Sequence, residues 1–458
     1  MGGKLAALAK DTAIFAVGSG TSKLILFLLL PLYTYCMTTD SYGTAELICN
    51  MLQMVFPIAS LCVIESVFRF AIDQTEESDE VFRIGVLTVV ASVLAVSIAC
   101  CCIEAFTDFG YALDFIVLYS AYAFSQLFKN YIRGLGHVRL FAISGVINAI
   151  VIALMSILLL IVFDAGIHGY LVAFASGYAV EAVIVVVADW SDLPWLGKVS
   201  LTTLKACFRF SLPAVPNMAS WWFTNVSTRY IVSWFLGVGT AGLYTAACKF
   251  SAVVNLMTDV FQKAWQYSSS LEIDGDDEAY FSEAFRAYFS ILIISTSLAV
   301  TLTPFICGIA LSEAFREAWV YVPFLMIAAS VNGLSKFFGS FYTAAKNNVM
   351  AMVSTIIGAA VNVIGWLVLI PFLGVSGAII STLAAYTVIS VFRMIDTKKY
   401  VKVDADPCNM LIQMGLLLFQ GIVLVASSGS ILLSGLLTLA LVFMNRDVIT
   451  LLIRGKKV

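Results

Sequence analysis

Charged residues are scarce in this sequence. They make up 12% of the 458 residues, whereas 61% of the residues are hydrophobic. Soluble domains usually carry about 25% charged residues. A soluble fold has too little interior to bury so much apolar surface, so the composition excludes a soluble protein and indicates that lipid is the main solvent. Continuous apolar runs of about 20 residues are typical of membrane-spanning helices, whereas a β-barrel would show alternating segments of about 10 residues.

The sequence also lacks the residue groupings that enzymes and metalloproteins use. The ten cysteines have neither metal-site nor redox-site spacing, and most lie in apolar runs where they act as small hydrophobic residues. There is no phosphate-binding loop of the G-x-x-x-x-G-K type and no nucleic-acid signature. The acidic residues of the predicted outer loops are scattered and form no catalytic set. We therefore expect a protein that is not an enzyme, with no catalytic residue, metal site or cofactor.

Fourteen apolar segments are candidates for membrane spans. They lie at about 12–35, 42–68, 84–103, 113–130, 141–163, 168–189, 211–236, 240–266, 286–311, 319–342, 349–371, 375–395, 410–426 and 430–445. The last two belong to one apolar run that is too long for a single crossing of a ~30 Å hydrocarbon core, and the turn at 427–430 divides it. We predict an all-α polytopic membrane protein with about 14 transmembrane helices.

Basic residues are distributed unevenly between the two sides of this predicted topology. With a cytoplasmic N-terminus, the inner connections hold 20 of the 26 lysines and arginines, and the outer connections hold only Arg316. The inner set is Lys4, Lys10, Arg69, Arg83, Lys129, Arg133, Arg139, Lys198, Lys205, Arg209, Arg286, Lys346, Arg393, Lys398, Lys399, Lys402, Arg446, Arg454, Lys456 and Lys457. Because cytoplasmic loops are enriched in basic residues, we predict that both termini are cytoplasmic.

A weak internal repeat divides the chain into halves. The predicted outer turn at 166–169 is followed by Tyr178, and the turn at 374–377 is followed at the same spacing by Tyr386, about 200 residues later. A second pair of related turns opens spans 2 and 8 at a similar offset. This period covers six spans, an even number, so both copies enter the membrane in the same orientation.

The repeat predicts four segments. Residues 1–190 form an N-terminal six-helix bundle, 191–210 a cytoplasmic linker, 211–396 a C-terminal six-helix bundle, and 397–458 a C-terminal helix pair with a basic tail. The linker has the amphipathic pattern of a helix that lies along the membrane surface.

Four short motifs, in this order and spacing, give the chain a family likeness. They are residues 38–43 (TTDSYG), 133–137 (RGLGH), 345–348 (AKNN) and 373–378 (LGVSGA). The chain resembles polysaccharide-biosynthesis flippases of the multidrug/oligosaccharidyl-lipid/polysaccharide exporter superfamily, above all the O-antigen and capsule types. The resemblance implies two pseudo-symmetric six-helix bundles around a central cavity that opens alternately to either side of the membrane.

The same resemblance implies a function. It indicates translocation of an undecaprenyl-diphosphate-linked oligosaccharide to the outer leaflet of the bacterial cytoplasmic membrane, for a surface polysaccharide such as the O-antigen of lipopolysaccharide. The expected partners are this lipid-linked glycan and membrane lipids. Polysaccharide polymerase components and a coupling ion are further candidate partners. We expect a monomer and no nucleic acid.

Five basic residues remain inside the predicted spans, namely Lys23, Arg229, Lys249, Lys263 and Lys336. An ionisable side chain at membrane depth costs roughly 3 kcal/mol or more unless it meets a partner or a wet cavity. We predict that Lys23, Arg229, Lys249 and Lys336 line such a cavity and bind the diphosphate of the cargo. Arginine suits bidentate phosphate contacts, and lysine acts as a compact point charge.

Structural roles compete with this interpretation. Lys263 is expected to pair with Asp259 one helical turn away, and Glu181 is expected to extend to the membrane interface. Lys336 could also extend to the interface, and Lys249 could pair with Glu46 or with another helix. Span 7 is crowded with aromatic residues that could stack on sugar rings or serve only in packing, namely Trp221, Trp222, Phe223, Tyr230 and Trp234.

The alternative function is an ion-coupled multidrug or organic-cation antiporter of the same superfamily. Such a transporter needs acidic residues deep in the membrane to bind cations. Here the first span carries Lys23 and no acid, and the deep charges are mainly basic. This pattern favours an anionic cargo.

Overall fold

A computed structural model of the chain describes residues 20–72, 76–107, 109–190, 193–195, 197–272, 278–345 and 348–453. Helices and their connections make up this part of the chain, which contains no β-strand. Contacts within the chain separate it into two units, Met1–Val226 and Ser227–Val458.

The first unit contains nine described helices. They are α1 (Gly20–Cys36), α2 (Thr39–Ala59), α3 (Val63–Ala71), α4 (Glu76–Thr107), α5 (Ala112–Gly134), α6 (Val138–Ile157), α7 (Gly166–Ala188), α8 (Leu201–Ser211) and α9 (Ala214–Asn225). A π-helical turn, Leu158–Val162, extends α6.

The second unit also contains nine described α-helices. They are α10 (Thr228–Leu236), α11 (Val238–Glu272), α12 (Glu278–Ala310), α13 (Val322–Ala344), α14 (Asn348–Leu373), α15 (Val375–Asp396), α16 (Pro407–Ala426), α17 (Ile431–Met444) and α18 (Arg446–Ile453). A 3-10 helix, Glu313–Val320, precedes α13.

Each of the fourteen predicted spans coincides with one helix or with two consecutive helices. In the described residues, eight helices are long and apolar enough to cross a membrane, and α2 with α3 makes a ninth if the pair is one span. The shorter apolar helices α1 and α17 coincide with the first and last predicted spans. The all-α polytopic membrane class is therefore confirmed, and the helices are consistent with about fourteen spans. Residues 12–19 of the first predicted span lie outside the described residues.

The second predicted span is broken inside the first unit. Helices α2 and α3 meet at an angle of 72°. Between them, Leu61 and Cys62 both have a φ of 53°, in the left-handed region that side chains with a Cβ rarely adopt. Pro57 lies near the end of α2. The sequence predicts one continuous helix here, because neither Leu61 nor Cys62 is a residue type that normally ends a helix.

The predicted repeat is visible in how each unit packs. In the first unit α7 packs against α5 and α6, and in the second unit α15 packs against α13 and α14 in the same way. The repeated outer-turn glycines Gly166 and Gly374 both have positive φ, at 51° and 57°. The boundaries of the four predicted segments stay a prediction. Contacts within the chain group α9 with the first unit and α10 with the second.

The predicted linker contains a short helix, α8. The Ser200 hydroxyl caps it by accepting a hydrogen bond from the Thr203 N–H at 3.1 Å. The Ser66 hydroxyl of α3 donates to the Cys207 carbonyl at 2.7 Å, which fastens α8 to the bundle. Lys205 and Arg209 are exposed, as an interfacial helix requires, although its place at the membrane surface stays a prediction.

Buried polar side chains hold the C-terminal helix pair against α12. The Gln420 amide of α16 donates to the hydroxyls of Thr301, Ser434 and Thr438 at 2.9–3.0 Å and accepts from Ser297 at 2.8 Å. Polar contacts of this kind join helices where lipid supplies no hydrophobic driving force between them. The pair α16–α17 therefore belongs to the second unit and is not a loosely attached extension.

Close helix packing at Gly377 generates a stability prediction. A Cβ added at Gly377 would collide with the backbone of Leu369 and Ile370, whereas a Cβ at Gly415 of α16 meets nothing within 4 Å. We expect Gly377→Ala to destabilise the protein by about 1–3 kcal/mol through overpacking, and Gly415→Ala to be neutral or stabilising because alanine favours helix. Thermal unfolding of the detergent-solubilised protein measures both. Equal midpoints for the two variants would contradict the packing.

Candidate functional site

A cavity of about 430 Å³ lies in the first unit, where α2 and α3 meet; we call it the break cavity. Pro57, Ser60, Cys62 and Glu65 line it from both sides of the helix break. Ligand pockets usually measure about 300–1,000 Å³, so the cavity is large enough for a small organic group. Irregular backbone at membrane depth is tolerated where it lines a cavity, which agrees with the position of this one.

The rest of the cavity wall is made of amides and aromatic rings. Gln53, Gln126 and Asn130 contribute side-chain amides, and Tyr122 and Tyr178 form an edge-to-face pair with ring centroids 5.1 Å apart. Among the described lining residues Glu65 is the only charged side chain. The wall therefore offers many hydrogen-bonding groups and little net charge.

A second, smaller cavity of about 190 Å³ lies on the other side of Tyr178, which lines both. Ser22, Lys129 and Asn148 contribute its polar groups. A Cβ at Gly145 would lie 3.3 Å from the Lys129 amine, so glycine leaves room for this lysine.

Glu181 is the centre of a buried polar network beside the smaller cavity. Its carboxylate accepts from the Lys129 amine at 2.6 Å, the Ser125 hydroxyl at 2.6 Å and the Asn148 amide at 2.8 Å. The residue is 0% exposed. The sequence-based expectation that Glu181 extends to the membrane interface is wrong, because α5 and α6 supply partners that satisfy the carboxylate inside the unit.

Two basic residues that the charge count placed in inner connections lie inside helix bundles. Lys129 belongs to α5 and pairs with Glu181. The Arg393 guanidinium, near the end of α15, donates to the Ser335 carbonyl and the Ser354 hydroxyl at 2.9 Å and to the Thr355 hydroxyl at 3.1 Å. Arg393 thus joins α13, α14 and α15. A count along the sequence assigns both residues by their nearness to a span end and cannot show where the side chain points.

Arg229 and Lys249 lie on two helices of the second unit that share one turn. Helices α10 and α11 pack together and are joined by Gly237, whose φ is 90°. At ~1.5 Å per residue, Arg229 lies about 12 Å and Lys249 about 18 Å from this turn. Both side chains are half-buried, and Arg229 is within electrostatic range of Tyr244 and Tyr386. The structure thus places two cations at successive depths on adjacent helices.

Lys336 has an acidic partner in the second unit. Its amine donates to the Asp259 carboxylate at 2.6 Å and to the Thr258 hydroxyl at 3.3 Å, joining α13 to α11. The sequence predicts an Asp259–Lys263 pair, but the side chain of Lys263 lies outside the described residues. A phosphate role for Lys336 stays a prediction, and it would require phosphate to compete with Asp259.

Lys23 lies near the beginning of the described part of α1, and its side chain is exposed. The neighbouring Ser22 lines the smaller cavity. Lys23 therefore belongs to the first unit, whereas Arg229, Lys249 and Lys336 belong to the second. Joint action of the four residues on one cargo stays a prediction.

The sequence names two acids of the first unit, Glu181 and Glu46, but does not predict their buried hydrogen-bond networks. The Glu46 carboxylate accepts from the Tyr170 hydroxyl at 2.6 Å and from the Asn50 amide at 3.2 Å, and it is 4% exposed. Both acids lie inside predicted spans, where a carboxylate needs a partner. Their partners, up to 124 residues away, could not be predicted from spacing.

A comparison with protein families matches residues 8–265 to the polysaccharide biosynthesis protein family. The chain belongs to this family. No curated protein matches the chain by sequence.

Solved transporter structures share the fold. A lipid II flippase, MurJ in an inward closed conformation, has a TM-score of 0.72 at 15% identity, covering 95% of this chain and 98% of that one. An inward-facing MATE multidrug resistance transporter of the MOP superfamily gives 0.64 at 12% identity, covering 86% and 96%. A Vibrio cholerae MATE transporter gives 0.58 at 14% identity, covering 86% and 97%. The chain is therefore a multi-pass membrane protein that shares its fold with these transporters, and the suspected polysaccharide-biosynthesis family is confirmed.

The Lys129–Glu181 pair generates a second stability prediction. Removing one partner of a buried ion pair leaves an uncompensated charge and typically costs about 3–5 kcal/mol. We expect Lys129→Met to lower the unfolding midpoint clearly, and Lys129→Met combined with Glu181→Gln to recover much of the loss, because glutamine can still accept from Ser125. The exposed Lys205→Met is the control for loss of a lysine. If Lys129→Met has the same unfolding midpoint as Lys205→Met, the buried Glu181 carboxylate does not need Lys129 as its partner.

Proposed function

We propose that the protein is a flippase that moves an undecaprenyl-diphosphate-linked oligosaccharide from the cytoplasmic to the outer leaflet. Membership of the polysaccharide biosynthesis family carries the proposal, because polymers of this class are built on lipid-linked precursors. The fold shared with a lipid II flippase supports it.

The cations of the second unit supply the chemistry for an anionic headgroup. A diphosphate cannot enter an apolar interior without compensating charge, since a buried ion needs a partner. Arg229 and Lys249 lie at successive depths on α10 and α11, so a diphosphate that leaves one cation meets the next. A guanidinium can bind one phosphate through two parallel hydrogen bonds, and the lysine amine adds a point charge.

Lys23 and Lys336 complete the proposed set of diphosphate-binding residues. Lys23 contributes a positive charge from the first unit, at the exposed surface of α1. Lys336 contributes when phosphate displaces it from Asp259, so its ion pair is a resting state that the cargo breaks. Transport then proceeds by alternating access, with the binding residues open first to one side of the membrane and later to the other.

The cellular setting follows from the same proposal. The protein works in the bacterial cytoplasmic membrane with both termini in the cytoplasm, and its cargo feeds a surface polysaccharide such as the O-antigen of lipopolysaccharide. Membrane lipids surround it, a polysaccharide polymerase consumes what it delivers, and an ion gradient supplies the direction of transport. The monomer is the transporting unit.

An organic-cation antiporter is the second candidate, supported by the fold shared with MATE transporters. Its cation would need an available carboxylate at membrane depth. Glu181 is held by Lys129, and Asp259 is held by Lys336. Glu46 accepts hydrogen bonds from Tyr170 and Asn50. These partners leave the buried acids poorly placed to receive a drug cation, so the flippase is the stronger proposal.

Transport in proteoliposomes tests the flippase. Wild-type protein is expected to flip a fluorescent undecaprenyl-diphosphate-linked sugar, and Arg229→Ala or Lys249→Ala is expected to slow flipping about tenfold or more. A hydrogen bond to a charged group contributes about 1.5–3 kcal/mol, which corresponds to this loss. Lys23→Ala should slow it as well, and Lys336→Ala should do so less because Asp259 already occupies this lysine.

The controls separate charge from structure. Lys249→Arg keeps the charge and should retain most of the flipping, and Lys205→Ala on α8 removes an exposed lysine away from the site. Unchanged transport in the alanine variants of Lys23, Arg229, Lys249 and Lys336 would remove the diphosphate-binding assignment. Transport of a cationic dye, with no flipping of the lipid-linked sugar, would establish the antiporter instead.

A further inference from the structure

The break cavity has unused hydrogen-bonding groups. The Gln126 side-chain amide makes no hydrogen bond within the described part of the chain, and Asn130 uses only its amide nitrogen, which donates to the Gln126 carbonyl at 2.8 Å. Gln53 makes a single long contact of 3.4 Å to Asn50. Each side-chain amide can both donate and accept. Three such groups therefore face a cavity with most of their hydrogen-bonding capacity available.

Aromatic rings border the same space. Tyr122, Tyr178 and Trp221 line it, and Trp221 is 48% exposed although it belongs to a predicted span. Its neighbour Trp222 is buried and donates to the Asn50 carbonyl at 3.4 Å, so α9 is anchored to α2 by one tryptophan while the other lines the cavity. An aromatic face next to hydrogen-bonding amides suits a ligand with both an apolar face and polar edges.

The charge of the wall argues against both an anion and an organic cation. Its one described charged residue, Glu65, would repel a phosphate. The Arg133 guanidinium, which stacks on Phe68 at 4.5 Å, lies within electrostatic range of Glu65 and offsets its charge. A neutral ligand meets no such conflict.

The broken helix itself points to a ligand site. Left-handed backbone at a residue other than glycine costs of the order of 1–3 kcal/mol, and Leu61 and Cys62 both adopt it. The break opens the space that Ser60 and Cys62 line. Interrupted membrane helices commonly form the binding sites of transporters.

We propose that the break cavity binds sugar rings of the cargo, with Gln53, Gln126 and Asn130 hydrogen-bonding to hydroxyl groups and Trp221 stacking on a ring face. This assignment rests on the proposed flippase function and adds to it a separate subsite for the neutral, polyhydroxylated part of the cargo. The break cavity then binds the glycan, whereas Lys23, Arg229, Lys249 and Lys336 bind the diphosphate.

Binding of two lipids to the detergent-solubilised protein tests the subsite. The probes are undecaprenyl diphosphate, which has no sugar, and undecaprenyl-diphosphate-linked oligosaccharide extracted from cells that produce the protein. Gln126→Leu and Trp221→Leu are expected to weaken binding of the oligosaccharide lipid roughly 5- to 10-fold each, because each removes a contact of about 1 kcal/mol or slightly more. Binding of the sugar-free lipid should not change, which also shows that each variant is folded.

Matched variants make the outcome specific. Trp234→Leu removes an exposed tryptophan of α10 that does not line the break cavity, and it should bind both lipids like the wild type. Lys249→Ala should weaken both lipids alike, because both carry the diphosphate. If Gln126→Leu does not fold, Gln53→Leu replaces it with the same expectation.

The results distinguish the subsite from the function. If wild-type protein binds both lipids and the cavity variants bind the oligosaccharide lipid unchanged, the sugar subsite is wrong and the flippase stands. If wild-type protein binds neither lipid, the flippase itself is wrong. Binding of tetraphenylphosphonium that is lost in Glu65→Gln would assign the cavity to an organic cation and overturn the proposal.

Discussion

The constraint on which this structure depends is the cost of holding charge in an apolar interior. Each described unit meets it with an ion pair between helices, Lys129 with the buried Glu181 in the first and Lys336 with the half-buried Asp259 in the second. In both pairs the amine and carboxylate oxygen are 2.6 Å apart, and hydroxyl or amide groups complete the surroundings. Because losing either partner leaves the other charge without its counterion, these pairs fix the relative positions of the helices that they join.

The lysine of each ion pair lies on a helix that has the same place in the packing of its unit, whereas the acid does not. Lys129 and Lys336 lie on α5 and α13, the helices that occupy matching places in the packing of the two units. The acid comes from α7 in the first unit and from α11 in the second. Duplicated bundles can thus share a fold while taking the acid of an ion pair from different helices.

The sequence predicts the helices well and the site only partly, for a physical reason. Hydropathy is local, so the spans and the two-fold repeat follow from composition and spacing. The break at Leu61 and Cys62 does not, because no glycine or proline occupies the turn and the surrounding tertiary packing imposes it. Likewise, the ion pair between Glu181 and Lys129 joins residues that are 52 positions apart in the chain. The order of charges along the chain does not reveal such a pair, so the sequence assigns Lys129 to an inner connection and Glu181 to the membrane interface.

The distribution of occupied and available groups is the best guide to the cargo. The buried carboxylates of both units are engaged by lysines, hydroxyls and amides, so an organic cation would have to displace existing partners. Arg229 and Lys249 lie on adjoining helices, at distances from the shared turn that differ by about 6 Å, and their positive charges suit an anionic lipid headgroup. The side-chain amides of the break cavity can donate hydrogen bonds to hydroxyl groups and accept hydrogen bonds from them. A molecule that joins a diphosphate to sugars supplies both an anion for the cations and hydroxyl groups for the amides. A diphosphate alone supplies no hydroxyl partner for the amides of the first unit.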